Sequence, residues 1–334
     1  MDRRISLVTV VLAMLVSACS GRGVASRSPE SEGSSSTTSA ATASESQLPP
    51  HVLSETMVGD GPSDVTAAFG SIWVSNHHDD NVTRVDPTTE AIIATIPVGG
   101  QPELMAVGMG SVWETNYDGT IGRVDPSANS ATSIGHFGHL CGGPTLTPGA
   151  VWVYRCDEPR TYVARVDVRT GKTTARIPAG QVESSLLFAD GFLWMTTSSP
   201  GKILQLDPNT GKVLRSFPAS GCPLLTQTGF GFGSMWVGQS QDCGSPTMEI
   251  LRMDPRTGRI VATVSTPSSL APSVADGSLW LEDIYGALSR MDPATLKTTP
   301  WTDFGYTMSS PHAGFGSLWV VSFDLGELFR VDSR

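Results

Sequence analysis

Positive charge is what this 334-residue chain has too little of: 22 Lys and Arg stand against 32 Asp and Glu, a formal net charge of −10. A phosphate backbone is bound by a basic face, so nucleic acid is excluded as a partner. Long hydrophobic runs are also missing. The longest, Ile5 to Val16, is about a dozen residues, too short to cross a hydrocarbon core of ~30 Å. With 35 Gly and 23 Pro, the chain lacks the unbroken stretches that long helices need, whereas short strands joined by turns use both residues. No Ser/His/Asp order, phosphate-cradling glycine loop or calcium-loop pattern stands out.

What is present begins with an export signal. Arg3 and Arg4 precede the apolar run, the charged-then-hydrophobic order of a secretory segment. Leu15-Val16-Ser17-Ala18-Cys19 follows and resembles the bacterial lipobox. That resemblance implies a signal peptide over 1–18, cleavage before Cys19 and acylation of that cysteine. Residues 19–50 are dense in Ser and Thr, and no aromatic residue occurs from 20 to 50. Such a segment buries too little apolar surface to offset its ordering entropy, so a disordered tether is expected. A flexible coil of that length holds a folded domain roughly 30 Å from its anchor. The expected location is therefore the extracytoplasmic side of a cell membrane, with contact to the membrane through the lipid anchor.

From residue 51 to 334 one short pattern recurs. Gly70-Ser71-Ile72-Trp73, Gly110-Ser111-Val112-Trp113, Gly149-Ala150-Val151-Trp152 and Gly191-Phe192-Leu193-Trp194 are the first four copies. Gly233-Ser234-Met235-Trp236, Gly277-Ser278-Leu279-Trp280 and Gly316-Ser317-Leu318-Trp319 complete seven, with Trp-to-Trp spacings of 40, 39, 42, 42, 44 and 39 residues. Each period holds four short apolar segments, for example Leu104 to Val107, Ser111 to Thr115, Thr120 to Val124 and a weaker Ala131 to Ile134. Segments this short, rich in β-branched residues and bounded by turns, are strands. Four strands per ~40 residues make a propeller blade. The fold class is therefore all-β, a seven-bladed β-propeller, with each tryptophan packed between neighbouring blades.

The turns carry their own chemistry. Gly70, Gly191 and Gly277 fall between first and second strands, where a tight hairpin needs positive φ. Asp207-Pro208-Asn209-Thr210-Gly211 and Asp254-Pro255-Arg256-Thr257-Gly258 fall between third and fourth strands, and Asp86, Asp125 and Asp292 share the Asp-Pro context. Asp caps such a turn and Pro presets its φ, which explains the recurring aspartates without catalysis. The last copy stops at Phe329-Arg330-Val331-Asp332 without a fourth strand, while Ser54 to Gly59 offers one. Pairing the two closes the ring and removes both edges. Cys141 and Cys156 flank the first two strands of the third blade, and Cys222 and Cys243 those of the fifth. Antiparallel neighbours bring such positions together, so disulfides Cys141–Cys156 and Cys222–Cys243 are expected.

The stretch Trp113 to Asp125, with Ile121-Gly122-Arg123 inside it, and the stretch Trp73 to Pro87 resemble two propeller groups. One is the YVTN-type repeat propellers of bacterial surfaces; the other is the streptogramin (virginiamycin B) lyases. Resemblance to the lyases implies lactone opening by elimination, with Mg²⁺ and a His/Glu set. Pro311-His312 matches a Pro-His pair of that family, and Glu282 sits two residues after Trp280, where lyase repeats often have Glu. The pattern departs at Ser310, where Glu precedes the family's pair, and at Pro272-Ser273, where a second His is absent.

In a four-stranded blade, the loops between blades and those between second and third strands open on one face. His77, His78, Asp79, Asp80, His136, His139, Asp283, Tyr285 and His312 all fall in such loops, which nominates that face as functional. Imidazole and carboxylate in His77-His78-Asp79-Asp80 suit a divalent metal, but adjacent residues need ligands from other loops to hold one. The leading expectation is a monomeric binding or scaffolding module, needing no cofactor, for an envelope protein, peptide or glycan. The alternative is a lyase-like or metal-assisted enzyme using His312 and Glu282 at the channel mouth.

Overall fold

The computed structural model describes residues 48–156, 161–179, 186–198, 201–219, 222–225, 229–240, 248–266, 272–283, 285–309 and 311–334. They form seven antiparallel sheets, each meandering outward from an inner strand. Blade 1 shows the pattern as Pro62–Ala68, Ser71–Asn76, Asn81–Val85 and Ile92–Pro97. Blades 2 to 6 follow over 102–136, 145–178, 186–218, 222–266 and 273–303. In blade 5 the inner strand is in two pieces, Cys222–Leu224 and Phe230–Gly231, both paired with Ser234–Ser240.

Blade 7 is assembled from both ends of the propeller. His312–Gly314, Ser317–Ser322 and Glu327–Val331 are its first three strands, and Val52–Met57 is the outer one. Thr56 faces Leu328 and Val52 faces Val331, with a one-residue register shift between Val52 and Ser54. The expected closing strand is therefore present, starting two residues earlier than its apolar pattern indicates. The weak fourth segment of blade 2 extends to Ser130–His136, because ladder pairing with Thr120–Asp125 recruits residues with little strand propensity of their own.

Each seam between blades is a separate apolar cluster built on one tryptophan. Trp73 packs with Met105, Val112 and Val124 of blade 2, and Trp113 with Val151, Val153 and Val166 of blade 3. Trp152 meets Leu193, Met195 and Leu206, Trp194 meets Met235, Val237 and Met253, and Trp236 meets Leu279, Leu281 and Met291. Trp280 reaches Leu318, Val320 and the closing Val52, and Trp319 reaches Val65, Ile72 and Val85. All seven indoles are fully buried. A buried indole needs a partner for its N–H. Each finds one five residues upstream, from Ala68 O for Trp73 at 2.9 Å to Gly314 O for Trp319 at 3.0 Å; in blade 3 the acceptor is Thr147 Oγ1.

An arginine on the third strand completes the seam. Arg84 stacks over Trp73, donates Nε to Ser71 Oγ and reaches Pro126 O in the Asp-Pro turn of blade 2. Arg165 and Arg252 likewise reach Pro208 O and Pro293 O of the following blades. Arg123 stops at Ser111 Oγ, facing the turn that begins at Asp167. Blade 4 has Gln205 at this position, and its Trp194 stacks on Phe217 instead. At the closing seam the carbonyl is replaced by a carboxylate: Arg330 lies 3.4 Å from Glu90 Oε1, and Thr56 of the closing strand donates to Glu90 Oε2. The turn aspartates do what their context predicts. Asp86 Oδ1 accepts Thr88 N and Thr89 N, and Asp207 Oδ1 accepts Asn209 N and Thr210 N, which holds both carboxyls below the usual range. The inner hairpins need more than glycine: Phe69, Met109 and Phe315 are themselves left-handed ahead of it, as type I′ turns require.

Glu90 thus clips together Thr56 of the closing strand and Arg330 of the last strand, which meet only by strand pairing. Replacing it with Ala is expected to lower stability by about 1–3 kcal/mol, the scale of a lost charge-assisted bond. An unchanged thermal or denaturant transition would remove Glu90 from ring closure.

Candidate functional site

In blades 1 to 3 the connection into the blade abuts that blade's loop between second and third strands. His77 N donates to Gly61 O, Tyr117 N to Gln101 O and Cys156 N to His139 O. These contacts bring the predicted loop residues onto one face and order them into a row of rings. Phe323 lies 5.1 Å from His78, His78 5.4 Å from His77, His77 6.2 Å from Tyr117 and Tyr117 5.6 Å from His139, all edge-on. Phe323 belongs to blade 7, the two histidines to blade 1, Tyr117 to blade 2 and His139 to the entry of blade 3. The row therefore crosses three seams. Tyr117 and Phe323 carried no site expectation; their signal was position, an aromatic just after the second strand.

The histidines of the row differ from one another. His77 is 6% exposed, and burial together with His78 keeps it below the ordinary imidazole value. His78 is open to solvent and lies 3.1 Å from Asp60 Oδ1. The carboxylates of the His77-His78-Asp79-Asp80 stretch are each held by a backbone amide, and the Asp80 charge partly offsets the lowering of His77. Asp79 accepts Asp60 N and Asp80 accepts Gln101 N, so both brace the inter-blade connections. His136 Nδ1 accepts Gly138 N, and against the cost of burial Asp118 is held below its usual value by hydrogen bonds from Thr120 Oγ1, Thr120 N and Gly100 N. Asp283 caps its own loop by accepting Tyr285 N and Ala287 N, leaving the Tyr285 ring 70% exposed.

Cys141 and Cys156 are joined, with Cα atoms 6.0 Å apart, at the blade 3 end of the row. His139 lies with them in the one convergence of three metal-type ligands among the described residues; sulfurs joined to each other are not thiolate ligands. Cys222 opens the inner strand of blade 5, whereas Cys243 and Cys19 lie outside the described residues, so the second pairing and the lipidation site do too.

Carboxyls on the inner strands form a second zone. Asp64 is buried on the inner strand of blade 1 and accepts Val65 N and, across the seam, Met105 N of blade 2 at 2.7 Å. From the other side His312 Nε2 stands 3.9 Å from Asp64 Oδ1. Burial raises the Asp64 carboxyl and the His312 charge partly offsets it. Glu103, on the inner strand of blade 2, is pushed by burial to about 7. His312 is thus within charge-pairing reach of Asp64 but beyond hydrogen-bond distance. Glu282 has a different environment, with Met308 N–H directed at its carboxyl, and burial followed by the Asp283 charge raise it well above the usual range. Asp64 and Glu103 went unrecognised in the sequence because burial, invisible there, is what perturbs them.

Glu114 is the most buried acid. It is 0% exposed, neither oxygen meets a partner among the described residues, and burial pushes it up to about 8. A Cβ at Gly122 on the neighbouring strand would collide with its Oε1. The position follows the tryptophan, where other blades carry Val74, Val153, Met195, Val237, Leu281 and Val320. An acid in an aliphatic register was a legible signal.

Comparison with known proteins gives fold and little else. A family model described as a repeat of unknown function (DUF6923) matches residues 116–247. No curated protein matches the chain. Among solved structures, hydrazine synthase of Kuenenia stuttgartiensis superposes with a TM-score of 0.66 at 13% identity, over 83% of this chain and 97% of that one. The computationally designed Ika8 protein gives 0.59 at 13%, covering 81% and 83%, and BamB from Moraxella catarrhalis 0.53 at 13%, covering 83% of each. At such identity the likeness is one of propeller architecture.

Glu114 has a folded value near 8 against an ordinary 4.5. The native state therefore retains a proton that the unfolded chain releases, and stability falls as pH rises between those values. Glu114→Gln is expected to remove that decline, its advantage growing from pH 5 to pH 8 in denaturant titrations. A wild-type and variant difference independent of pH would show that Glu114 is ionised in the fold.

Proposed function

We propose that this chain is an exported, lipid-anchored propeller whose loop-rich face binds an envelope protein, peptide or glycan. Residues 1–18 serve as signal peptide, Cys19 as the acylated residue and 19–50 as tether. The observation that carries the binding reading is the row Phe323, His78, His77, Tyr117 and His139. Rings contributed by successive blades make a contact strip on rigid strand ends, and aromatic side chains supply most of the energy where proteins bind partners. The loops around it carry Asp60, Asp79, Asp80 and Asp118 with no Lys or Arg from 76 to 82 or 116 to 120, so a partner meets an acidic rim. The surface-propeller resemblance of the repeats agrees with this reading.

A second reading, a lyase-like enzyme, rests on the Asp64 and His312 pair. A carboxylate close to an imidazole favours the proton it takes up, but elimination also needs an electrophile on the carbonyl oxygen. Around His312 and Glu282 no third His, Cys, Asp or Glu ligand converges among the described residues. That donor set does not fit Mg²⁺, which takes oxygen ligands in octahedral array, and no step is derived through it.

Tyr117→Ala and Phe323→Ala are expected to lose, at least tenfold each by the usual cost of a hot-spot truncation, the partner cross-linked from intact envelopes. His312→Ala is expected to keep it. Loss in His312→Ala with retention in the ring variants would favour the channel. Separately, Cys19→Ala is expected to shift the protein from the membrane to the soluble fraction, and continued membrane retention would refute the lipid anchor.

A further inference from the structure

The end of the propeller opposite the ring row carries the turns between first and second and between third and fourth strands. Phe69, Phe232 and Phe315 tip its inner hairpins, each left-handed and 41%, 42% and 48% exposed in turn. Asp190 and Asp276 hold the same place in blades 4 and 6, and Asp accepts a left-handed φ more readily than a bulky aromatic does. No burial offsets the choice of phenylalanine, so the framework gives no reason for it. Exposed apolar surface is concentrated at this end. Ile92 and Ile93, Val213 and Leu214, Val261 and Leu53 lie where the outer strands of blades 1, 4, 5 and 7 begin, and Val107 lies near the inner hairpin of blade 2. With the three phenylalanines these are ten of the fourteen large apolar side chains open to solvent among the described residues. Further along the outer strands of blades 1, 4 and 5 the exposed positions turn polar, as Thr95, Ser216, Thr263 and Ser265. The apolar surface thus belongs to one end of the molecule, not to outer strands as such.

Positive charge gathers at the same end. On blades 3 to 6 the exposed Arg169, Lys172, Lys212, Arg256, Arg259 and Lys297 surround the turns between third and fourth strands. With Arg165, Arg215, Arg252 and Arg290 they stand ten to six against the carboxylates there, which are Asp167, Asp190, Asp207, Asp254, Asp276 and Asp292. The turn aspartates also direct an oxygen at backbone amides, as Asp167 does at Arg169 N and Thr170 N. On blades 7, 1 and 2 the signs balance, with Arg84, Arg123, Arg330 and Arg334 against Asp86, Glu90, Asp125 and Asp332. A basic arc in a chain of net charge −10 leaves the opposite end acidic. The chain that precedes the propeller also joins it here. Leu48 packs against the seam of blades 6 and 7, and His51 O accepts Asp332 N just before the closing strand starts at Val52.

We propose that this end of the propeller docks on a lipid bilayer bearing anionic headgroups. Aromatic and aliphatic side chains on rigid hairpins enter the boundary between headgroups and acyl chains, and the Lys and Arg around them meet the lipid phosphates. Those long side chains lay their stems along apolar surface while the charge stays in the headgroup layer. The phenylalanines stand on blades 1, 5 and 7 and the outer apolar residues on blades 1, 4, 5 and 7, a spread around the ring that suits a broad surface better than a peptide segment. Docked in this way, the ring row points away from the membrane, toward its partner. The proposal takes from the anchor reading only the end at which residues 1–47 lead in; the charge and the apolar residues are the propeller's own.

Co-sedimentation of the full chain with vesicles tests this, using Cys19→Ala throughout so that acylation cannot contribute. The vesicles are phosphatidylcholine alone or mixed with phosphatidylglycerol. The expected result is tighter binding to the mixed vesicles, weakened about tenfold by Phe69→Ser combined with Phe315→Ser. Lys212→Gln, Arg256→Gln and Arg259→Gln together are expected to remove the preference for phosphatidylglycerol, a loss of about tenfold or more for three charges at a membrane surface. All five side chains are exposed, so the fold is not at issue, and residues 1–47 contribute equally to every chain compared. Amide exchange on the bound chain is expected to slow at the Phe69, Phe232 and Phe315 hairpins and not around Tyr117. Binding unchanged in both sets of variants, or slowing around Tyr117 alone, would overturn the proposal while leaving the anchor reading intact. Self-association of the chain without vesicles, abolished by the same serine substitutions, would assign this end to a second copy and overturn it as well.

Discussion

The indole that each blade inserts against its neighbour is the contact on which the ring depends. A lone four-stranded sheet of this size has two faces and cannot cover both. Packing seven of them face to face buries apolar residues of both neighbours at each seam, while outer-strand residues such as Ile92, Ile93, Val213 and Leu214 stay partly in solvent, and the tryptophan is the largest piece of each seam. Removing one such side chain from a packed core costs about 3–5 kcal/mol, a large fraction of the margin by which a domain is stable. The N–H bond to the preceding strand end fixes the indole's tilt, and the arginine stacked on it carries the contact to the next blade's turn. Apolar burial, a satisfied donor and a charge-assisted bond thus act through one residue position.

Seams built this way are modular but not identical, and the exceptions have chemical reasons. Blade 4 has Phe192 where other copies have Ser or Ala, and Gln205 where most have Arg. With no serine hydroxyl to anchor a guanidinium, an aromatic stack with Phe217 takes its place. The closing seam shows the opposite adjustment. Its strands are joined only by hydrogen bonds and packing, and there a carboxylate, Glu90, replaces the neutral carbonyl. A charged acceptor is the stronger one, and it reaches both Thr56 and Arg330, on the first and last strands, which meet within blade 7 only by pairing.

Because the framework is carried by the seams, the loops on one face are released from structural duty. The ring row occupies them, reaching across blades 7, 1, 2 and 3 on strand ends that the tryptophans hold rigid. The acids of the same loops are partly structural, since Asp79 and Asp80 tie the connections between blades. Loop composition alone therefore overstated the number of free ligand groups on this face. The strands hide another set: Asp64 and Glu103 on inner strands and Glu114 on the second strand of blade 2 acquire unusual proton affinities only from enclosure.

Local chemistry repeated at a fixed period is legible in one dimension, and so the blade count, the Asp-Pro turns, the closing strand and the tryptophan seams followed from the amino-acid order. Each depends on neighbours within a few residues, or on the same pattern met again one period later. The aromatic row and the Asp64 and His312 pair join residues from different blades, the pair from opposite ends of the propeller, and within blade 7 the bond from Asp332 N to His51 O spans the same two ends. No spacing in the chain encodes those distances, which exist only once the ring has closed. Glu114 lies between the two cases: its odd place in an aliphatic register was written in the sequence, but the pressure to keep its proton comes from the packed blades around it.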